Sequence, residues 1–277
     1  MKHAFTVDLE DWYHGIPIMA ERKASAERRL HVGTEPLLEL LARRGHKATF
    51  FALSLIAREH PQLLRRIADA GHDIGSHGLS HDFVYDMSPE RFRDETRRSI
   101  HDLEDCIGRK VESYRAAYFS ITRRSLWALD VLVEEGIRYD SSIFPVQNWR
   151  YGIPDFSRSP TIVNTGAGPL CEFPISTRRL FGRNLPVTGG AYFRIYPYLL
   201  SRANIRAAER EGTPIVFYLH PWELDPLQPR VPFRRKAMLT HYVNLRSTGR
   251  KLERLCQEFD FTTLGEVLAD AFPGLGQ

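Results

Sequence analysis

Short apolar runs alternate with amphipathic stretches along most of this chain, and that alternation constrains its fold more than any other feature. Residues 3–7, 47–53 (KATFFAL), 72–76, 111–115, 137–140, 214–219 (PIVFYL) and 259–263 read as strands. Between them lie helical patterns with recognisable ends. Thr34-Glu-Pro opens one that Gly45 stops, Pro61 opens one that ends at Gly71, and Ser88-Pro89-Glu90 opens one that runs to Gly108. Further helices are expected over 122–135, 196–211 and 237–257, with a last one closing the chain. Repeated strand–helix units imply a parallel sheet with right-handed crossovers. The expected class is therefore α/β: a distorted or incomplete (β/α) barrel of about seven parallel strands, with a doubly wound open sheet as the alternative. Residues 144–190 break the rhythm. They are rich in Pro, Gly, Asn and Arg, hold one clear strand pattern at 170–175, and read as an excursion within a single domain spanning 1–277.

The 277 residues are enough for one such domain, and their apolar content supports a core without disulfides. Cys106, Cys171 and Cys256 are scattered and show no CxxC spacing, which suits three reduced thiols. Asp8, Glu10 and Asp11 stand where a secretory signal would need its apolar core. No apolar run approaches the ~20 residues of a membrane span. The expected location is the cytoplasm, with the inner face of the membrane as a place of work. The net charge of +4 comes from dispersed arginines rather than a basic run, so no nucleic-acid partner is expected.

The residues best able to do chemistry fall just after the expected strands, and in parallel α/β folds those ends form one rim. His77 and His81 are four apart, a spacing that places two imidazoles on one face of a helical turn; two histidines and a carboxylate commonly hold catalytic zinc. Alone, the pair reads more readily as two ordinary surface or loop histidines. It is not the zinc-protease motif, because Gly78 stands where that motif needs its glutamate. Asp8-Leu-Glu10-Asp11 puts three carboxylates in four residues, either a solvated acidic turn or a cluster that a cation offsets. His220 follows a strand that looks buried throughout, and reads as a core histidine or a proton donor. Asp140 could cap a turn or raise the pKa of His220, and Arg115 could orient a catalytic carboxylate.

In order, Thr6-Val-Asp8-Leu-Glu10-Asp11, Ser76-His77-Gly-Leu-Ser-His81, Tyr114-Arg115-Ala-Ala-Tyr118, Asp140-Ser-Ser and Leu219-His220 resemble the motifs of the polysaccharide deacetylases of carbohydrate esterase family 4, the NodB-like enzymes. The strings ATFFAL, AGHDIGSHGLSH and GGAYFRIYPY resemble the branch linked to exopolysaccharide and exosortase loci, which carries an extra C-terminal segment, here placed after about Phe144. The resemblance implies a metal-dependent hydrolase that removes acetyl groups from N-acetylated sugars of a polysaccharide. It implies Asp8 as general base, His77 and His81 as metal ligands with Glu10 or Asp11 completing the set, and Zn²⁺ as the ion. It further implies His220 as general acid, Arg115 as partner of the base, Asp140 as tuner of the acid, and a backbone N–H near Tyr118 as oxyanion donor. Tyr118, Trp149, Tyr192, Phe193 and Trp222 could stack on sugar rings or pack in the core. Two departures from the family pattern stand out: Leu9 separates Asp8 from the next carboxylate, and Ala117 replaces the usual proline. The alternatives are a metal-independent hydrolase of a cyclic amide or ureide, and an inactive glycan-binding module. The sequence is silent on oligomeric state.

Overall fold

The computed structural model describes residues 1–16, 26–232 and 234–274, of Lys236 the backbone alone. Strand β1 (Lys2–Leu9) is followed by helix α1 (Leu30–Arg44), β2 (Thr49–Ala52), α2 (Ser54–Glu59), α3 (Pro61–Asp69) and β3 (Asp73–Ser76). Then come α4 (Pro89–Ile107), β4 (Ser113–Tyr114), α5 (Trp127–Glu134) and β5 (Tyr139–Asp140). The expected excursion holds β6 (Thr161–Thr165), β7 (Gly168–Glu172), β8 (Thr177–Leu180) and β9 (Arg183–Pro186). The chain continues through α6 (Gly190–Ile195), α7 (Tyr198–Arg210), β10 (Val216–Leu219), α8 (Arg235–Tyr242), α9 (Leu245–Glu258), β11 (Asp260–Thr262) and α10 (Leu264–Ala271).

The main sheet runs β10-β1-β2-β3-β4-β5-β7-β6, with β11 pairing to the start of β1. Every pairing in it is parallel except β6 with β7. The result is a curled, open half-barrel, as the alternation predicts. Strand periodicity assigns its two faces. Phe5, Val7 and Leu9 of β1, Phe50 and Ala52 of β2, and Phe217 and Leu219 of β10 pack against the surrounding helices. Ala4, Phe51, Val216 and Tyr218 point into the curl, where Leu264, Val267 and Leu268 of α10 join them. Thr6 and Asp8 continue the inward face of β1, and Tyr218 is followed by His220 on the inward face of β10. Thus the alternation that fills the core also aims the reactive groups at the rim.

Several elements differ from expectation. Helix α1 opens at Leu30, four residues before Thr34, because its cap is distant in sequence: Asp11 Oδ2 accepts the N–H groups of Arg29 and Leu30 at 2.7 and 3.0 Å. Thr34 is an interior helical residue whose hydroxyl donates to the Leu30 carbonyl. The excursion contains four strands where one was expected. β6 and β7 form an antiparallel pair at the sheet edge, and β8 and β9 form a separate hairpin. The expected helix over 237–257 breaks at Asn244, which sits at φ 56° and donates from its side chain to the Arg194 carbonyl. The one over 122–135 begins as a 3₁₀ turn (Arg123–Ser125) before α5, and the one expected at 196 starts at Tyr198, after the separate α6. No helix among the described residues is long and apolar enough to cross a membrane.

Candidate active site

The ends of β1, β3, β4 and β10 meet at a cavity of about 320 Å³ whose wall includes Asp8, Glu10, His77, His81, Tyr118 and His220. Behind it stands Arg115, fully buried just past β4. Nη1 donates to Asp8 Oδ1 and to Thr6 Oγ1, both at 2.8 Å. Nε donates to the Ser141 carbonyl at 3.0 Å and Nη2 to the Ser141 hydroxyl at 2.9 Å, while the guanidinium lies 4.4 Å from the centre of the Phe51 ring. A guanidinium with so many of its donors engaged holds Asp8 in one orientation.

Beside Asp8, the ligand atoms of Glu10, His77 and His81 lie within 4.8 Å of one another. His77 Nδ1 donates to the Arg115 carbonyl at 2.7 Å, which leaves the Nε2 lone pair for an ion. Burial pulls the pKa of His77 down to about 4, so the ring stays neutral. Oε2 of Glu10 lies 2.8 Å from His81 Nε2, is buried, and accepts no well-formed hydrogen bond. Burial works against ionising Glu10, but His81, His220 and His77 together hold its carboxyl well below the usual range. Two imidazoles and an ionised, under-satisfied buried carboxylate fit a divalent cation.

The imidazoles do not share a helical turn, as the spacing suggested. They meet across a loop, ring centres 5.3 Å apart, with Gly78 at φ 86° and His81 at φ 61°. Hydrogen bonds from Ser54 N and Ser99 Oγ to the Gly78 carbonyl fix that loop. Glu10 and Asp11 point in different directions in the same region. Asp11 spends its oxygens on the N–H groups of Trp12, Arg29 and Leu30 and points into the start of α1, whereas Glu10 points into the cluster.

His220 lies beside the cluster, next to both Asp8 and Glu10. Its Nε2 is 3.7 Å from Asp8 Oδ2 and 3.5 Å from Glu10 Oε1. Its Nδ1 is 2.8 Å from Glu223 Oε1, and Glu223 Oε2 in turn accepts from Arg194 Nε at 2.5 Å. Burial would depress the imidazole, but the Glu223 hydrogen bond and the charges of Glu10, Glu223 and Asp8 raise its pKa to about 9. The group on His220 is therefore Glu223, and the expectation for Asp140 is corrected. Asp140 accepts from the Ser142 hydroxyl at 2.5 Å and stands opposite Glu172 across the β5–β7 register. Both carboxyls are buried, and desolvation pushes both upward, Glu172 well above the usual carboxylate range with the Asp140 charge beside it. Asp140 shapes the Ser141-Ser142 loop that supports Arg115 and caps Ala116 N. Glu223 and Arg194 escaped the sequence reading, although Glu223 lies three residues after His220, the spacing of a capping box.

The aromatic candidates divide. The Tyr118 ring lies 4.6 Å from that of His81, its hydroxyl donates to the His14 carbonyl, and its backbone is left-handed at φ 58°. Trp222 lines the cavity, stacked between His220 at 4.9 Å and His241 at 4.2 Å. Tyr192 lines it too. Phe193 is buried against Phe217 in the helix-side core, and Trp149 lines neither this cavity nor its neighbour. Gly189 is required for packing: a Cβ there would lie 2.3 Å from Tyr218.

Comparison with known proteins agrees with this fold. Residues 29–137 match the family model described as polysaccharide deacetylase, and residues 141–269 match a domain of unknown function, DUF3473. The peptidoglycan deacetylase of Helicobacter pylori is 27% identical over 112 residues, 40% of this chain and 37% of that protein, so the chain spans well under half the length of this curated relative. A Mycobacterium smegmatis crystal structure assigned as a polysaccharide deacetylase superposes with a TM-score of 0.66 at 22% identity, covering 97% of this chain and 90% of that one. Puue allantoinase superposes with a TM-score of 0.63 at 15% identity, covering 98% and 90%. His77, His81, Arg115 and Tyr118 lie within the first matched segment and His220 and Glu223 within the second, and residues 29–137 of this chain are similar to the polysaccharide deacetylase family.

Proposed function

We propose that this protein is a metal-dependent N-deacetylase that hydrolyses acetamide groups of N-acetylated sugars in a polysaccharide, an exopolysaccharide or its precursor, releasing acetate. The observation that carries the reading is the gathering of the Glu10–His77–His81 cluster, Asp8 and His220 at the wall of one cavity. Glu10, His77 and His81 would hold the cation, Zn²⁺ by the nature of the donors. When bound, it supplies Lewis acidity, polarising an acetamide carbonyl and making a water more acidic. Asp8, kept oriented by Arg115, takes a proton from the attacking water as its oxygen bonds to the acetyl carbon. The backbone at Tyr118 borders the position where negative charge develops on the carbonyl oxygen. His220, protonated through its contact with Glu223, delivers a proton to the sugar nitrogen as the C–N bond breaks. The products are acetate and a free amine. Tyr118, Tyr192 and Trp222 give the cavity aromatic walls suited to sugar faces.

The test is metal content together with acetate release from N-acetylated oligosaccharides. Near-stoichiometric zinc and acetate release abolished by a chelator are expected. Acid–base groups typically contribute ~10²- to 10⁴-fold, so Asp8→Asn should lower kcat by about that range with zinc retained. Turnover of a cyclic ureide without metal would favour the allantoinase-like reading. Zinc-free glycan binding without acetate release would favour an inactive binding module.

A further inference from the structure

Beyond the catalytic cavity, a second groove of about 470 Å³ is lined by Gln147, Asn148, Arg179, Arg183, Asn184 and Tyr192, among others. Tyr192 also lines the catalytic cavity, so the groove adjoins it. Asn184 ties the β8–β9 hairpin to the loop ahead of β6, donating to the carbonyls of Pro145 and Pro154 at 2.9 and 3.0 Å. The two segments bordering the groove, 146–152 (VQNWRYG) and 177–186 (TRRLFGRNLP), carry four arginines and no acidic residue. Among the described residues, no carboxylate pairs with Arg150, Arg179 or Arg183.

Each segment also presents one large aromatic to solvent. Phe181, at the hairpin tip with φ 50°, is 95% exposed, and Trp149 is 87% exposed. Leu180 and Leu185 add exposed apolar surface on the hairpin. Neither ring lines this groove or the catalytic cavity. Gly182 and Arg183 line the groove while Phe181 does not, and Asn148 and Arg150 line the two cavities while Trp149 does not. A glycan lying in the groove would leave both rings in water. An aromatic tip flanked by Arg179 and Arg183, neither paired with a carboxylate, instead has the composition of a segment that seats in a bilayer interface. There, rings settle at headgroup depth and cations meet anionic lipid.

We propose that the β8–β9 hairpin and the Trp149 loop dock this protein onto an anionic membrane surface, with the catalytic cavity opening beside the bilayer. This is independent of the reaction assigned above. The experiment is co-sedimentation of the full chain with phosphatidylcholine vesicles, with and without ~30% phosphatidylglycerol, at low and high salt. Binding to the anionic vesicles, weakened by salt, is expected. Phe181→Ser and the pair Arg179→Glu, Arg183→Glu should each weaken it at least tenfold, while acetate release from a soluble oligosaccharide and the circular dichroism spectrum stay unchanged. The Trp149 fluorescence should shift blue on the same vesicles, a signal absent from Trp149→Phe. Equal binding to neutral and anionic vesicles, or variants that bind as the parent does, would overturn the proposal. So would a dimer that Phe181→Ser dissociates, which would make this face a contact between two copies of the chain.

Discussion

Glu223 accepts from both Nδ1 and the backbone N–H of His220, and Arg194 holds it in place. Glu223→Gln keeps the size and removes the charge. His220 must be protonated to act as an acid, so its contribution is lost as pH rises through its pKa. Burial alone pulls that pKa down, and Glu223 is the foremost group raising it. The variant should therefore move the alkaline limb of the kcat/KM profile to lower pH, by about 1–3 units for loss of one adjacent opposite charge. An alkaline limb that does not move would remove His220 from the role of acid. At this scale the sequence was legible at the ends of β1 and β10, because strand alternation alone aims Asp8 and His220 inward. It was not legible where two carboxylates compete for one partner. Asp140 ends β5 and Glu223 sits on the turn after β10, and which of them reaches Nδ1 depends on a 3₁₀ turn over Pro221–Leu224 that strand patterns do not encode.

Helix α1 shows how the site and the fold share residues. Asp11 accepts from three backbone N–H groups, two of them at the helix start, 18 and 19 residues away. Asp11→Ala should lower unfolding free energy by roughly 1–2 kcal/mol, the usual size of a lost cap, with zinc retained. Glu10→Gln should do the reverse, losing zinc while leaving the cap intact. Urea unfolding and metal analysis on both variants check the division, and zinc lost from Asp11→Ala but kept by Glu10→Gln would invert it. Further along, Gly33 lies so close to the turn after His220 that an added Cβ would stand 1.8 Å from the Pro221 carbonyl oxygen. Gly33→Ala must push α1 and that turn apart. An overpacking cost of about 1–3 kcal/mol and reduced turnover are expected, although residue 33 touches no reacting group. Local rules missed the true start of α1 because its cap is non-local. They also missed three of the four strands between residues 161 and 186, since β6, β8 and β9 are largely solvent-facing and carry little of the apolar signal that marked the buried strands.

Over the whole molecule, the two matched segments share one sheet. β1 pairs with β2 on the N-terminal side of the chain, but also with β10 over Ala4–Val7 and with β11 over Lys2–Ala4. β5, just before the second segment, pairs with β7 inside it. The inward core joins Ala4 and Phe51 to Val216, Tyr218 and the apolar face of α10. We propose that the chain is one folding unit whose deacetylase-like part is incomplete without the part that follows. Residues 1–140 alone would lose two of the three strand partners of β1, the filling of the curl, and both His220 and Glu223. That fragment should lack a cooperative urea transition and should not protect the β1 amides from hydrogen exchange, whereas the full chain should do both. Fragment 1–140 unfolding in a single sharp transition would mean that α1–α5 and their strands suffice as a domain. The later strands would then be an addition to a finished fold, and His220 would reach the site as a late arrival on a scaffold that did not need it.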